Sequence, residues 1–199
     1  MFSLVIIDEK LKKTFLIRDR FGKKPLVYIK QGDYIFFASE PKALKNIIDL
    51  EYDKINLSVY FFAGLLPQPL TSYKKLYSVN PGSYIIYSDN EEELVEKKWY
   101  NPKIKISNQK FNNIKNNFLS LFENSIDVRL RSDVPVGVFL SGGLDSTSIL
   151  HQISKKNTKV TALICNIPDK EKFSGTTTDT DLPKKLCDDY NFKYVETTF

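Results

Sequence analysis

Val134-Pro135-Val136-Gly137-Val138-Phe139-Leu140-Ser141-Gly142-Gly143-Leu144-Asp145-Ser146 decides how this chain is read. Its first seven residues are apolar and β-branched, the pattern of a buried parallel strand. From Ser146 to Lys156 the apolar residues Ile149, Leu150 and Ile153 recur at helical spacing. Strand, glycine turn and helix in this order form a cradle for phosphate. Gly142 and Gly143 let the backbone approach an anion with no Cβ in the way. Their amides, with the positive end of the following helix, can hold phosphate oxygens. Ser141 and Ser146 add hydroxyl donors, and Asp145 offers a hard oxygen for magnesium. The lysine of a Walker-type loop is absent, so this is a cradle of another kind. The competing reading, a tight strand-to-helix connection with no ligand, uses the same residues.

Outward from the loop the alternation continues. Upstream, Phe111, Ile114, Phe118, Leu121, Phe122 and Ile126 form one apolar face of a helix of about five turns, expected to pack on the sheet that bears the loop. Arg129 and Arg131 end that helix, where the dipole favours them, with a phosphate contact as the alternative. Downstream, Lys159–Ile167 reads as a second buried strand, 179–190 as a helix and 193–199 as a third strand. Strands and helices alternating in one direction predict a doubly wound parallel sheet with its ligand at the carboxyl ends of the strands. His151, the only histidine, sits on the outer part of a helix, where solvation is the ordinary role.

The amino-terminal half has another rhythm. Phe2–Ile7 and Thr14–Ile17 pair as a hairpin, Arg18–Pro25 is a shaped loop feeding a third strand, and 34–38 is a fourth. Ser39-Glu40-Pro41-Lys42-Ala43-Leu44 predicts a helix start, with Ser39 as N-cap, an acid in the first turn and an early proline. Ile55–Tyr60 alternates like a strand, but the apolar run continues through Ala63, so a short helix from about Ser58 closed by Gly64 is the better reading. Ser83–Ser88 is a strand, and Glu91–Tyr100 leads to a boundary at Asn101-Pro102. Trp99 is read as a packing residue.

On these residues a resemblance is plain. SGGLDS is similar to the pyrophosphate-binding PP-loop of the N-type ATP pyrophosphatases, which split ATP between its α and β phosphates. With Arg129–Val138 before it, the motif resembles the glutamine-hydrolysing asparagine synthetases. Arg18–Tyr28, Phe37–Leu44, Tyr60–Thr71 and Asn80–Tyr84 resemble the same family in the same order, so the resemblance spans nearly the whole chain. It implies an α/β chain: residues 1–105 as part of a class II glutaminase-type α+β domain with a partial antiparallel sheet, and 106–199 as the start of the PP-loop synthetase domain. It further implies ATP-dependent amidation of aspartate through an acyl-adenylate. Phe139, Leu140, Ser141, Gly142, Gly143, Leu144, Asp145 and Ser146 would hold ATP, Asp145 would take Mg2+, and Ile164 would lie on the adenine side, with core packing as its alternative.

The chain also departs from the family. The family's glutaminase nucleophile is an amino-terminal cysteine, whereas Met1 is followed here by Phe2. The family's glutamine-holding residues precede the position matched by Met1, and its second acidic motif and pyrophosphate lysine follow position 199. The expectation is an incomplete form, with no catalytic residue assigned, an apolar Phe2–Ile7 strand left uncovered, and a homodimer or a complementary chain as partner. A non-catalytic fragment, or a synthetase acting on another carboxylate as in β-lactam formation, are the alternatives. A tRNA-thiolating enzyme is disfavoured because those lack the glutaminase-like part.

Composition narrows the classes. The 199 residues, 42% hydrophobic and 27% charged, suit an ordinary globular protein with a sizeable core. The net charge of +5 is spread among paired charges such as Asp8-Glu9-Lys10, which disfavours nucleic acid as a partner. Cys165 and Cys187 have neither metal nor redox spacing and are expected to be buried, as suits a reducing cytoplasm. No apolar run approaches the ~20 residues that cross a bilayer, and no signal-peptide pattern is present.

Overall fold

The computed structural model describes residues 1–88, 93–104, 106–156, 158–166 and 181–198. They fall into two compact units, Met1–Lys105 and Ile106–Phe199.

The first unit holds two antiparallel sheets. In one, β1 (Ser3–Asp8) pairs with β2 (Lys13–Arg18), which pairs with β6 (Ser83–Ser88) and, beyond it, β7 (Val95–Lys98). In the other, β3 (Val27–Gln31) lies between β4 (Tyr34–Ala38) and the short β5 (Tyr77–Ser78). Strand side chains alternate between faces, and β3 is buried on both. Tyr28 packs with Leu16, Leu26, Val79 and Ile85, whereas Val27 and Ile29 pack with Leu44, Ile48, Leu50 and Leu76. The four strands read in residues 1–40 therefore divide between two sheets, a partition that strand patterning does not encode.

Two charged neighbours shape the loop between β2 and β3. The buried Arg18 guanidinium donates from Nε to Lys24 O (2.9 Å), from Nη1 to Val79 O (2.7 Å) and Ser78 Oγ (3.0 Å), and from Nη2 to Gly22 O (2.8 Å). The equally buried Asp19 accepts four backbone amides, from Phe2, Phe21, Lys23 and Lys24, at 3.0–3.2 Å. Burial alone would raise the Asp19 pKa, but the four amides outweigh it and bring it down to about 2. Trp99 packs as expected, stacked on Phe2 with its indole N–H donating to Arg18 O.

Both helices of this unit begin elsewhere than expected. In α1 (Pro41–Leu44) the N-cap is Glu40 rather than Ser39, with no side-chain cap and no acid in the first turn, because Pro41 takes the first helical position and sets the start. The next helix, α2 (Lys54–Ala63), starts four residues before Ser58. Asp53 caps it by accepting from Ile55 N and Asn56 N, so the alternating Ile55–Tyr60 segment is helical throughout. Gly64 closes it at φ +72°, as expected. No residue of α2 is buried, and Phe62 is 95% exposed.

The second unit alternates helix and strand: α3 (Phe111–Leu130), β8 (Val136–Phe139), α4 (Leu144–Ser154), β9 (Val160–Asn166), α5 (Asp181–Asp189) and β10 (Lys193–Thr198). The sheet is parallel in the order β10-β9-β8. Val136, Val138, Val160, Ala162 and Ile164 share one face, and all three helices pack there through Ile126, Leu150, Ile153 and Cys187. The second helical layer of a doubly wound sheet is not seen among the described residues.

Three burial expectations are corrected here. As an edge strand, β8 is only half-buried, and Phe139 on its uncovered face is 79% exposed. Cys165, on that same face of β9, is exposed, whereas Cys187 is buried and its thiol pKa is raised by burial. The apolar stripe of α3 is core only at its carboxyl end: Phe122, Ile126 and Leu130 reach the sheet, while Phe111, Ile114, Leu121 and Phe118 (63%) are exposed. Ile167, 179–180, Phe199 and 91–92, which the expected elements included, lie outside the described residues.

Candidate functional site

The loop from β8 into α4 is anchored beneath and open above. Leu140 is buried among Leu150, Ala162, Ile164 and Cys187, and its amide donates to Leu163 O (2.9 Å), which extends the β8–β9 pairing past Phe139. One residue on, the chain is at the surface. Gly142 has φ +75°, a conformation that suits glycine and strains any residue with a Cβ. Gly143 is the N-cap of α4 at an ordinary φ of −70°, so what its missing side chain provides is space; a Cβ built there meets only Ser141 Oγ, at 3.4 Å.

The helix that follows has no side-chain cap. Its first intrahelical bond is Thr147 N to Gly143 O (3.0 Å), which leaves the amides of Leu144, Asp145 and Ser146 as unsatisfied donors of a helix start. Two serines brace the turn. Ser146 Oγ accepts from Ser141 N (3.3 Å), lies 3.1 Å from Ser141 Oγ and donates to Gly143 O (3.2 Å); Ser141 Oγ in turn accepts from Gly143 N (3.4 Å). Uncapped amides, two exposed hydroxyls and the positive end of an 11-residue helix together attract an anion.

The other residues singled out in the sequence are placed unequally. Asp145 is exposed in the first turn of α4, free to offer an oxygen to a metal held mainly by its ligand. No group of three or more His, Cys, Asp or Glu among the described residues makes a metal site by itself. Phe139 and Leu144 are exposed on either side of the loop. Ile164 is 1% exposed in the core beneath it, on the central strand, which is the core-packing role its alternative reading gave it. Arg129 is turned back along its own helix onto Ser125 O and Oγ. His151 pairs through Nδ1 with Tyr190 OH (2.9 Å), a link from α4 to the end of α5 that sequence reading missed because the two residues are 39 positions apart. Thr147 Oγ1, buried just inside α4 with no hydrogen-bond partner in the structure, was also missed; a threonine in a helical pattern carries no such signal.

A cavity of about 600 Å³ opens at the other end of the sheet, among Pro135, Val160, Phe192 and the stems of Lys156, Lys159 and Lys193. It lies at the amino ends of the strands, away from the glycine turn. No described helix is long and apolar enough to cross a membrane.

Comparison with known proteins accounts for both units. A family model described as a glutamine amidotransferase domain matches residues 1–100, and one described as asparagine synthase matches residues 117–199. The chain is 32% identical over 155 residues to a putative glutamine-hydrolysing asparagine synthetase 2 of Methanocaldococcus jannaschii, covering 75% of this chain and 30% of that protein. It is 34% identical over 152 residues to asparagine synthetase 3 of Bacillus subtilis, covering 75% of this chain and 24% of that one. A protein of Gibberella zeae named amidase chry2 is 30% identical over 165 residues, with 80% and 24% covered. The chain thus spans about a quarter to a third of the length of these relatives. Two unit types matched in the order in which antiparallel sheets give way to a parallel sheet and its glycine turn lead to one assignment: the chain belongs to the glutamine-hydrolysing asparagine synthetase family.

Proposed function

We propose that the second unit binds the phosphates of ATP at the Ser141–Ser146 turn and serves an ATP-dependent amidation, with aspartate as the acceptor. The observation that carries this reading is the uncapped start of α4, where three free amides stand beside two serine hydroxyls that brace the turn, behind a glycine held at φ +75°. In such a reaction a carboxylate oxygen attacks the α-phosphorus, pyrophosphate leaves, and ammonia then displaces AMP from the acyl carbon. The loop's part is to hold the departing pyrophosphate and spread its charge over fixed donors, catalysis by positioning rather than by a covalent step. Magnesium, when bound, would neutralise phosphate charge, and Asp145, in the first turn of α4, would offer it an oxygen.

Neither cysteine of the chain lies in the first unit, so its own residues supply no thiol nucleophile there for glutamine hydrolysis. In this reading ammonia is taken from solution or from a glutaminase nucleophile that these residues do not supply. A second reading keeps the same turn for amide formation on a carboxylate other than aspartate; a relative named as an amidase rather than as an asparagine synthetase shows that names differ among the similar proteins.

Calorimetric titration of the full chain with magnesium pyrophosphate and with MgATP is the test. Binding that is abolished or weakened at least ten-fold in Ser146→Ala, with the fold intact by circular dichroism, supports the reading. Equal binding by wild type and variant, or none at millimolar ligand, removes it.

A further inference from the structure

A second cluster of reactive side chains lies in the first unit, in residues the functional reading does not use. Tyr52 and Tyr73 come from segments twenty-one positions apart and stack with ring centroids 4.8 Å apart and planes 21° from parallel. The backbone holds them there. They face each other in an isolated antiparallel bridge, flanked by Asp53 N donating to Ser72 O and Lys74 N donating to Glu51 O, both at 2.9 Å. Thr71 Oγ1 accepts from Tyr73 N (3.1 Å) and donates to Leu76 O (2.8 Å), which fixes the second segment from below. The Lys45 ammonium stands 5.5 Å from the Tyr52 ring centroid and 5.8 Å from that of Tyr73.

We propose that Tyr52 and Tyr73 form an oxidative coupling site, which a one-electron oxidant of the peroxidase class converts to an intramolecular dityrosine. Each phenol gives up one electron and its hydroxyl proton. The two phenoxyl radicals then join through ring carbons ortho to oxygen, and the two displaced ring protons move to the oxygens to restore the phenols. The net loss of two hydrogens is balanced by one hydrogen peroxide becoming two waters.

Three features favour this pair. Tyr52 is 51% exposed, so an oxidant reaches it. Hydrogen bonding from Tyr73 and the charge of Lys45 hold the Tyr52 hydroxyl below its ordinary pKa, and a phenolate is oxidised more easily than a phenol. The other tyrosine pair, Tyr28 and Tyr77, is wider at 6.1 Å, and burial pushes the Tyr28 hydroxyl up to about 12. The new bond would staple the segment entering α2 to the segment before β5.

The test is brief treatment of the dilute full chain with hydrogen peroxide and a peroxidase, followed by dityrosine fluorescence and peptide mapping. The expected product is a single dominant 52–73 link within one chain, lost in Tyr52→Phe and in Tyr73→Phe, which both keep the stacked ring. Oxidation of the wild type in denaturing urea needs no variant and should reduce that link at least five-fold. A dominant link between other tyrosines, a link between copies, or a 52–73 yield unchanged in urea would overturn the proposal.

Discussion

Replacing Asp19 by asparagine tests whether one buried carboxylate organises the loop between β2 and β3. In the native chain Asp19 Oδ1 accepts from Phe21 N and Lys23 N, and Oδ2 from Phe2 N and Lys24 N. Asparagine keeps one acceptor oxygen and turns an NH2 group toward the other two amides, so two bonds are lost and two donors are opposed. Hydrogen bonds to a charged group contribute about 1.5–3 kcal/mol each, and leaving buried donors unmet adds to the loss. Two such bonds lost give a destabilisation of about 3–6 kcal/mol at pH 7. The pH dependence gives a second, independent magnitude. Asp19 titrates at about 2 in the folded chain against an ordinary 3.8, a depression worth roughly 2 kcal/mol. Because the folded value is the lower one, that stability is fully present above pH 4 and is lost as the pH falls through 4 toward 2. The asparagine variant cannot titrate at this position, so the gap between the two proteins should close by roughly 2 kcal/mol over that interval. Urea unfolding followed by emission of Trp99, the only tryptophan and a direct partner of Arg18 O, reads this unit alone. A gap below about 1 kcal/mol at pH 7, or one that stays constant down to pH 2, would refute the reasoning.

Three further outcomes follow from the same geometry. Gly142→Ala places a Cβ at φ +75° and should cost about 1 kcal/mol of second-unit stability by urea melts, while weakening pyrophosphate binding by more than ten-fold. Asp53→Ala removes the cap of α2 and should cost about 1 kcal/mol, with helical circular dichroism lost near Lys54 rather than across the unit. Ile153→Ala, truncating a side chain 1% exposed between α3, α4 and the sheet, should cost about 2–5 kcal/mol in thermal or urea unfolding and disorder the loop only through α4.

Local chemistry was legible in the residues. The glycine turn, the switch from strand to helix at Ser141–Leu144, the hairpin of β1 and β2, strand β6 and the Gly64 stop all follow from φ preferences, caps and periodicity, which are properties of a few neighbouring residues. The family resemblance came from the same short stretches. Burial is different, because it depends on what covers a face. Phe139 and Phe118 have the side chains of core residues, yet one stands on the uncovered face of an edge strand and the other on turns of α3 that do not reach the sheet. Where a cap competes with a pattern, a single side-chain oxygen decides, as Asp53 does for α2.

By itself, the sequence determined most of the strands and helices, though not β5 or the starts of α1 and α2, together with the place of the glycine turn and the family the chain resembles. Tertiary structure alone decided that strands β1 to β4 part into two sheets, that Arg18 and Asp19 are buried together as a loop clamp, and that Tyr52 meets Tyr73. The physical reason is range: backbone conformation is set over a few residues, whereas burial, pKa and side-chain pairing are set by groups that only folding brings within a few ångströms.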